Sequence, residues 1–157
     1  MGAQDNTYRL QALEDIKDAL VAMNVFREIS DSPKGPEEVQ VFPCAYYFGG
    51  EGPREPADVQ HVLFRSVVEY SIFLYVHESE SKGSIANVPG LAAKLETLIQ
   101  LTMDKMDACT QGTFRNSGYD MWVSRVDTDG GALRMTGSPI AMAVVVLTAN
   151  FPPKHSA

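Results

Sequence analysis

The stretch that decides the fold is His61-Val-Leu-Phe-Arg-Ser-Val-Val-Glu-Tyr-Ser-Ile-Phe-Leu-Tyr-Val-His77. Its even-numbered positions are nearly all apolar, whereas its odd-numbered positions mix apolar and polar residues. Because side chains alternate between the two faces of a strand, this pattern predicts a strand with one face on a core and an amphipathic opposite face. The many Val, Ile, Tyr and Phe residues disfavour a helix. At ~3.3 Å per residue the strand would span about 50 Å, so we expect it to bend, to carry a bulge, or to extend to a neighbouring subunit.

One helix is predicted on each side of this strand in the chain. Apolar residues recur every three or four positions from 8 to 23, and Asp5, Asn6 and Thr7 can cap the helix that follows. A second helix is predicted from about 87 to 109 and ends before Gly112. We expect Lys94 on its polar side. The predicted apolar stripes are Leu10, Leu13, Ile16, Leu20 and Met23 in the first helix, and Leu91, Leu95, Leu98, Thr102 and Met106 in the second.

Further strands are predicted from alternating or wholly apolar runs at 25–29, 39–48, 121–126, 132–136 and 140–151. Pro43 cannot donate a ladder hydrogen bond, so its strand lies at a sheet edge or begins after it. Residues 121–126 and 132–136 are predicted to form a hairpin around 127–131. Pro152-Pro153 is expected to end the last strand.

This order of elements predicts an α+β fold, with a mostly antiparallel twisted sheet of four to five strands and two amphipathic helices packed on one face. Strand 140–151 is apolar on both faces, which is typical of a strand buried on both sides. Two helices cannot cover both faces, so we expect another subunit to cover part of the sheet. The candidate subunit-interface residues are Tyr75, Val145 and Leu147.

The composition favours one soluble domain spanning 1–157, with 1–7 and 152–157 flexible. The net charge of −7 argues against a general binder of nucleic acid or of anionic membranes. The longest apolar run, 140–149, is too short for the ~20 residues of a membrane span. The sequence shows no secretory pattern, so we expect Cys44 and Cys109 to be reduced thiols in a cytoplasmic product.

The sequence predicts no catalytic, metal or cofactor site. The fragment Asp127-Thr-Asp-Gly130 begins like a calcium loop, but Ser138 stands where the closing Glu belongs, so a hairpin turn is favoured. His61, Arg65, Glu69 and His77 share one strand face, yet same-face neighbours are about 6.6 Å apart, so a solvated or subunit-facing polar row is favoured over an active site. Trp122 and the tyrosines are interpreted as core or interface aromatics.

Residues 49–58 are predicted to form a long, exposed loop without regular structure, because Gly and Pro are frequent in it. Its charged residues are candidates for docking a partner: Glu51, Arg54, Glu55 and Asp58. A solvated connector is an equally good interpretation.

The chain resembles the tail terminator proteins of long-tailed bacteriophages. The resemblance rests on the opening helix with Leu13, Ile16 and Leu20, on Phe42-Pro-Cys-Ala-Tyr-Tyr-Phe-Gly-Gly-Glu51, and on the final Ala143-Val-Val-Val-Leu-Thr148. A charged loop, the long strand and a Leu-rich helix lie between them. The resemblance implies a structural, non-enzymatic subunit of a homohexameric ring in the virion, at the head-proximal end of the tail, assembled in the host cytoplasm.

Such a ring stops polymerisation of the tail tube and carries the docking surface for the head or neck. The implied partners are the tail tube protein and a neck or head-completion protein, with the tail sheath as a further candidate and no membrane. DNA would pass through without specific binding, so we expect an acidic or neutral bore, with Asp127 and Asp129 as candidate lining residues; an outward-pointing turn is the alternative. Two other hypotheses remain: another head–tail neck or completion protein, and a small oligomeric enzyme or ligand-binding domain.

Overall fold

The chain folds into one mixed β-sheet with helices on one side. The computed structural model describes residues 3–32, 34–35, 38–49, 54–56, 63–80, 82–128 and 139–155. In chain order the elements are α1 (Ala3–Met23), β1 (Glu28–Ser30), β2 (Cys44–Gly49), β3 (Arg54–Pro56), β4 (Leu63–His77), a 3₁₀ turn (Gly83–Ile85), α2 (Leu91–Gln111), α3 (Thr113–Asn116), β5 (Asp120–Asp127) and β6 (Ile140–His155).

Five strands lie side by side in the order β1-β2-β4-β6-β5, and the short β3 also pairs with β4. β1 is parallel to β2, while the other pairs are antiparallel. The predicted fold class is therefore confirmed. β4 pairs with β6 from end to end, with a register shift between Phe64 and Ser66 that matches the expected bulge. The long strand is thus matched by an equally long partner within its own subunit.

The core lies between the sheet and the two long helices. The even-numbered face of β4 is buried there from Val68 to Val76 as predicted, and the odd-numbered face of β6 joins it from Ala141 to Phe151. The largest side chains of this core with almost no solvent exposure are Ile16, Leu20, Tyr70, Ile72, Leu74, Leu98, Met106, Phe114 and Phe151.

α1 begins at Ala3 rather than near residue 8, so the three expected capping residues lie inside the helix. Leu10 was wrongly predicted on the buried stripe, since 67% of it is exposed. Ala12 and Asp15 are buried instead. The face of α1 that carries Ala12, Ile16 and Ala19 packs into the core, which leaves Leu10 on the solvent side. Lys94 is also buried, contrary to expectation, and its Nζ donates to the Glu78 carbonyl oxygen at 2.5 Å.

The strand pairing overturns two strand predictions and decides between the two alternatives for Pro43. Within the segment 49–58, Arg54–Pro56 forms β3 against Phe64, Arg65 and Ser66, so the prediction of no regular structure there was wrong. Of the two alternatives for Pro43, a strand that begins after it is confirmed, because β2 begins at Cys44, directly after the cis Phe42–Pro43 bond; an edge position is wrong, since β2 lies between β1 and β4. β6 runs past Pro152 to His155, because the register shift opposite Phe64 accommodates the prolines. The predicted strand at 132–136 lies outside the described residues.

Candidate functional site

The sheet face that points away from the helices, the outer face, is partly closed by the subunit itself. Val39 and Phe42, from the segment before β2, pack on Cys44, Tyr46 and Tyr75 in a second cluster of buried residues. This cluster is separate from the main core, so the chain covers both sides of the sheet at this end.

Hydrogen bonds hold this covering segment in place. The Tyr46 hydroxyl donates to Glu28 Oε1 at 2.6 Å, and Lys34 Nζ lies 3.4 Å from the same oxygen. The Tyr75 hydroxyl donates to the Lys34 carbonyl oxygen at 2.9 Å. The hydrogen bond from Tyr46 and, to a smaller extent, Lys34 lower the pKa of Glu28, while burial and the bond to Glu28 raise the pKa of Tyr46. Glu28 therefore fastens the covering segment in its ionised form.

The three residues predicted at a subunit interface are buried by their own subunit. Tyr75 belongs to the second cluster, whereas Val145 and Leu147 lie in the main core under the helices. Strand alternation explains this, because odd-numbered positions of β6 point toward the helices. The prediction is corrected accordingly: any surface that β6 offers to a neighbour comes from its even-numbered positions and from the strands beside them.

At the other end of the outer face, several of the described residues are exposed, and they form a mixed apolar and charged surface. Antiparallel partners point to the same side of a sheet, so the register places Glu69, Thr148 and Trp122 in one row. The next row contains Phe48, Ser71, Val146 and Arg125. We call the open patch the set of outer-face residues Phe48, Glu69, Trp122, Arg125 and Asp127.

Trp122 is the prominent apolar residue of the open patch, with 41% of its surface exposed. Beside it, Arg125 Nη1 lies 3.2 Å from Glu69 Oε1, and Arg125 Nε lies 3.6 Å from Asp127 Oδ2. All three charged side chains are about half exposed, so these ion pairs contribute at most about 1 kcal/mol to stability. Their main consequence is a tryptophan flanked by charges of both signs.

The remaining predicted site residues do not form one cluster. Arg54 and Glu55 lie on β3 at the edge of β4, and Asp127 ends β5 beside Arg125. Glu51, Asp58 and Asp129 lie outside the described residues. The docking and bore-lining roles therefore stay predictions.

A buried polar network around Asp15 ties α1 to the segment before β5. Its carboxylate accepts hydrogen bonds from the Tyr119 hydroxyl at 2.5 Å, from Ser117 Oγ at 2.7 Å and from Gln11 Nε2 at 2.8 Å. Burial and the bond to Asp15 raise the pKa of Tyr119. With three donors satisfying one carboxylate, this network fixes the docking of the helix.

The titratable groups outside this network show no nucleophile paired with a base in the described parts of the chain. Burial raises the pKa of Cys44 to about 12 and also raises that of Cys109, so neither thiol is a ready nucleophile at neutral pH. His77 accepts a hydrogen bond from the Ser79 backbone N–H at Nδ1, while Glu69, from the same predicted polar row, pairs with Arg125. No group of three or more metal-ligating side chains occurs among the described residues.

The helix layer contains a pocket of about 310 Å³, the helix-side pocket. Its lining comes from the end of α1, the 3₁₀ turn and one side of α2: Met23, Val25, Ser84, Leu101, Asp104, Lys105 and Ala108. Val25 is buried, whereas Ser84, Asp104 and Ala108 are exposed. The pocket therefore has an apolar floor and a polar rim.

Two backbone features create this pocket. Asn24 ends α1 with φ 55°, a left-handed conformation that asparagine tolerates, and turns the chain toward Val25. Gly83 has φ +65° and lies so close to this turn that an added Cβ would be 2.5 Å from the Asn24 carbonyl oxygen. Glycine thus lets the 3₁₀ turn form one wall of the pocket.

Sequence reasoning missed the pocket, the buried Asp15 and the exposure of Trp122. The pocket depends on contacts between Asn24 and Gly83, which are distant in sequence and give no local signal. Asp15 could have been suspected from its place between Ala12 and Ala19 on one helix face. Trp122 alternates in register with the buried Met121, which could have indicated its outward direction.

Comparison with models of known protein families gives no match for this chain. Comparison with curated protein sequences gives no match either. Within the described ranges, no helix has the length and apolar character needed to cross a bilayer. The functional argument therefore rests on the chain's own residues.

Proposed function

We propose that this protein is the subunit of a closed ring, most simply a hexamer, that caps the tail tube of a long-tailed bacteriophage. The ring stops tube polymerisation and offers its other side to a neck or head-completion protein. The resemblance of the sequence to tail terminators suggests this role. The observation that carries it is the open patch on the outer face.

The open patch supports assembly because, in the described part of the chain, the two long helices pack on the inner face of the sheet. Val39 and Phe42 cover one end of the outer face, whereas Trp122 is exposed at the other end. A large exposed aromatic residue beside an arginine is typical of binding surfaces, where Trp and Arg are enriched. Closed rings arise when each subunit presents such a surface to a different surface of the next.

The charge of the chain supports a passage for DNA. Duplex DNA carries one phosphate per ~1.7 Å of its axis, so exposed lysines and arginines in a bore would hold it. The chain has 20 acidic residues against 13 Lys and Arg. Arg125 is engaged by Glu69 and Asp127 rather than isolated. A predominantly acidic or neutral bore would let the genome pass without retaining it.

Light scattering and negative-stain imaging test this proposal, on the purified protein and on the protein mixed with tail tubes. The expected result is a closed ring of about six times the 17.2 kDa subunit mass, free or bound at tube ends. A neck protein would also form a ring but would leave tube ends uncapped. A monomer under both conditions would overturn the proposal.

A further inference from the structure

We propose that the solvent-facing side of α1 binds the same side of α1 in a second copy of this chain, with the two helices antiparallel. The contact goes beyond the proposed ring and does not depend on it. Four residues form it, Leu10, Glu14, Lys17 and Val21, and we call them the outer stripe of α1.

The outer stripe is an exposed seam on a helix whose other side packs into the core. Leu10 and Val21 have 67% and 56% of their surfaces exposed, and Glu14 and Lys17 between them are exposed as well. The spacings of four, three and four residues place all four side chains on one side of the helix, as in the a and d positions of a heptad repeat. Two apolar side chains therefore lie about 16 Å apart along the helix, with one charge of each sign between them.

The order of these residues is self-complementary. In an antiparallel pair related by a two-fold axis, Leu10 of each copy meets Val21 of the other, and Glu14 of each copy meets Lys17 of the other. All four pairings are favourable. A parallel pair in register would instead place Glu14 against Glu14 and Lys17 against Lys17, which is repulsive. The order of the charges therefore selects the antiparallel arrangement.

The two charges of the outer stripe are available for this pairing. Among the described residues, neither Glu14 nor Lys17 has an ion-pair partner in its own subunit. Asp18 lies at the rim, about 80° around the helix from Leu10, where it stays in water. A surface that complements itself is what a two-fold contact between identical subunits requires, so we assign a second copy of the chain as the occupant.

The contact is small, so we expect a weak pair. Eleven residues of helix on each copy bury less than the about 800 Å² per partner of stable interfaces, which corresponds to a Kd of roughly 10 µM to 1 mM. A two-fold contact is complete with two partners, whereas a ring is closed by contacts between different surfaces. The outer stripe therefore doubles the mass of whichever unit the protein forms, a subunit or a ring, and leaves ring closure to other surfaces.

Charge reversal tests the inference, with sedimentation equilibrium between about 10 µM and 1 mM, where the wild-type unit should double its mass. Glu14→Lys and Lys17→Glu each convert two attractive pairings into two repulsive ones, so each should weaken the doubling at least about 10-fold. Glu14→Lys also lowers the net negative charge of −7 by two units, which by itself favours association, so overall charge cannot explain its weakening. Glu96→Lys makes the same charge change at an exposed position of α2 and should leave the doubling intact. Circular dichroism should show every variant folded.

Restoring the opposite charges gives the decisive result. The double variant Glu14→Lys/Lys17→Glu pairs opposite charges again, and so does an equimolar mixture of the two single variants, so both should recover the doubling. Single variants that associate like wild type, a double variant or mixture as weak as the single variants, or a wild-type unit that never doubles would overturn the inference and leave the proposed ring standing. Tail tubes that carry no ring, while the doubling and its charge pattern persist, would refute the proposed function alone.

Discussion

Replacing Tyr119 with phenylalanine removes one of the three hydrogen bonds that satisfy the buried Asp15 carboxylate. The aromatic ring of residue 119 should keep its position, because it packs on the rings of Phe114 and Phe151 with centroid distances of 5.9 and 5.5 Å. A hydrogen bond to a charged group contributes about 1.5–3 kcal/mol. Since Ser117 and Gln11 remain as donors, we expect Tyr119→Phe to lower the free energy of unfolding by about 2 kcal/mol. In a chain of this length that corresponds to a Tm lower by about 4–8 °C.

Tyr70→Phe is the matched control for this prediction. Tyr70 is also a buried core tyrosine, but its hydroxyl donates to a neutral acceptor, the Arg9 carbonyl oxygen, at 3.3 Å. Loss of this hydrogen bond should lower the free energy of unfolding by about 0.5–1.5 kcal/mol. Urea unfolding followed by circular dichroism measures both values, and the slope m should not change. Equal losses in the two variants would refute the argument that Asp15 depends on a charge-assisted bond from Tyr119.

Three further predictions follow from single sites. Gly83→Ala should lower the thermal stability more than Gly90→Ala does, because both positions have a positive φ that strains an alanine by about 1–3 kcal/mol, but only at Gly83 would the added Cβ also meet a backbone carbonyl oxygen, at 2.5 Å. Because the pKa of Glu28 is lowered in the folded protein, its carboxylate contributes to the free energy of unfolding at neutral pH. This contribution is lost as the pH falls below 4.5, the ordinary pKa of the group. Tyr46→Phe should therefore shrink the difference in urea midpoint between about pH 3 and about pH 7; an unchanged difference would contradict this assignment. The Cys44 thiol, with a pKa of about 12, should react with a disulfide reagent only on unfolding, and rapid reaction of the native protein would count against its burial.

The sheet was predictable from sequence because strand alternation is a local signal. The apolar residues at even-numbered positions from Val68 to Val76 correctly predicted the buried face of β4. The last strand led to a wrong interface prediction, because both of its faces are apolar and the periodicity does not indicate which face the helices cover. The structure places Val145 under the helices, so the expected interface moved to the other face.

The candidate surfaces were less predictable because they depend on contacts between distant residues. Trp122 gains its place beside Glu69 through β6, which lies between their strands. The helix-side pocket needs Gly83 to meet the end of α1, a contact across about sixty residues of chain. Buried Lys94 shows the same limit, since its carbonyl partner comes from the residue after β4.

The most direct test of the ring-cap proposal is the growth of tail tubes in the presence of this protein. Tube protein from the same genome is assembled from short seeds, and tube lengths and ends are imaged by electron microscopy. The account predicts that growth stops at the ends that carry a ring of this protein, in several copies per end, while tubes without it keep lengthening. Tubes that lengthen equally with and without the protein, or ends that hold a single copy, would contradict it.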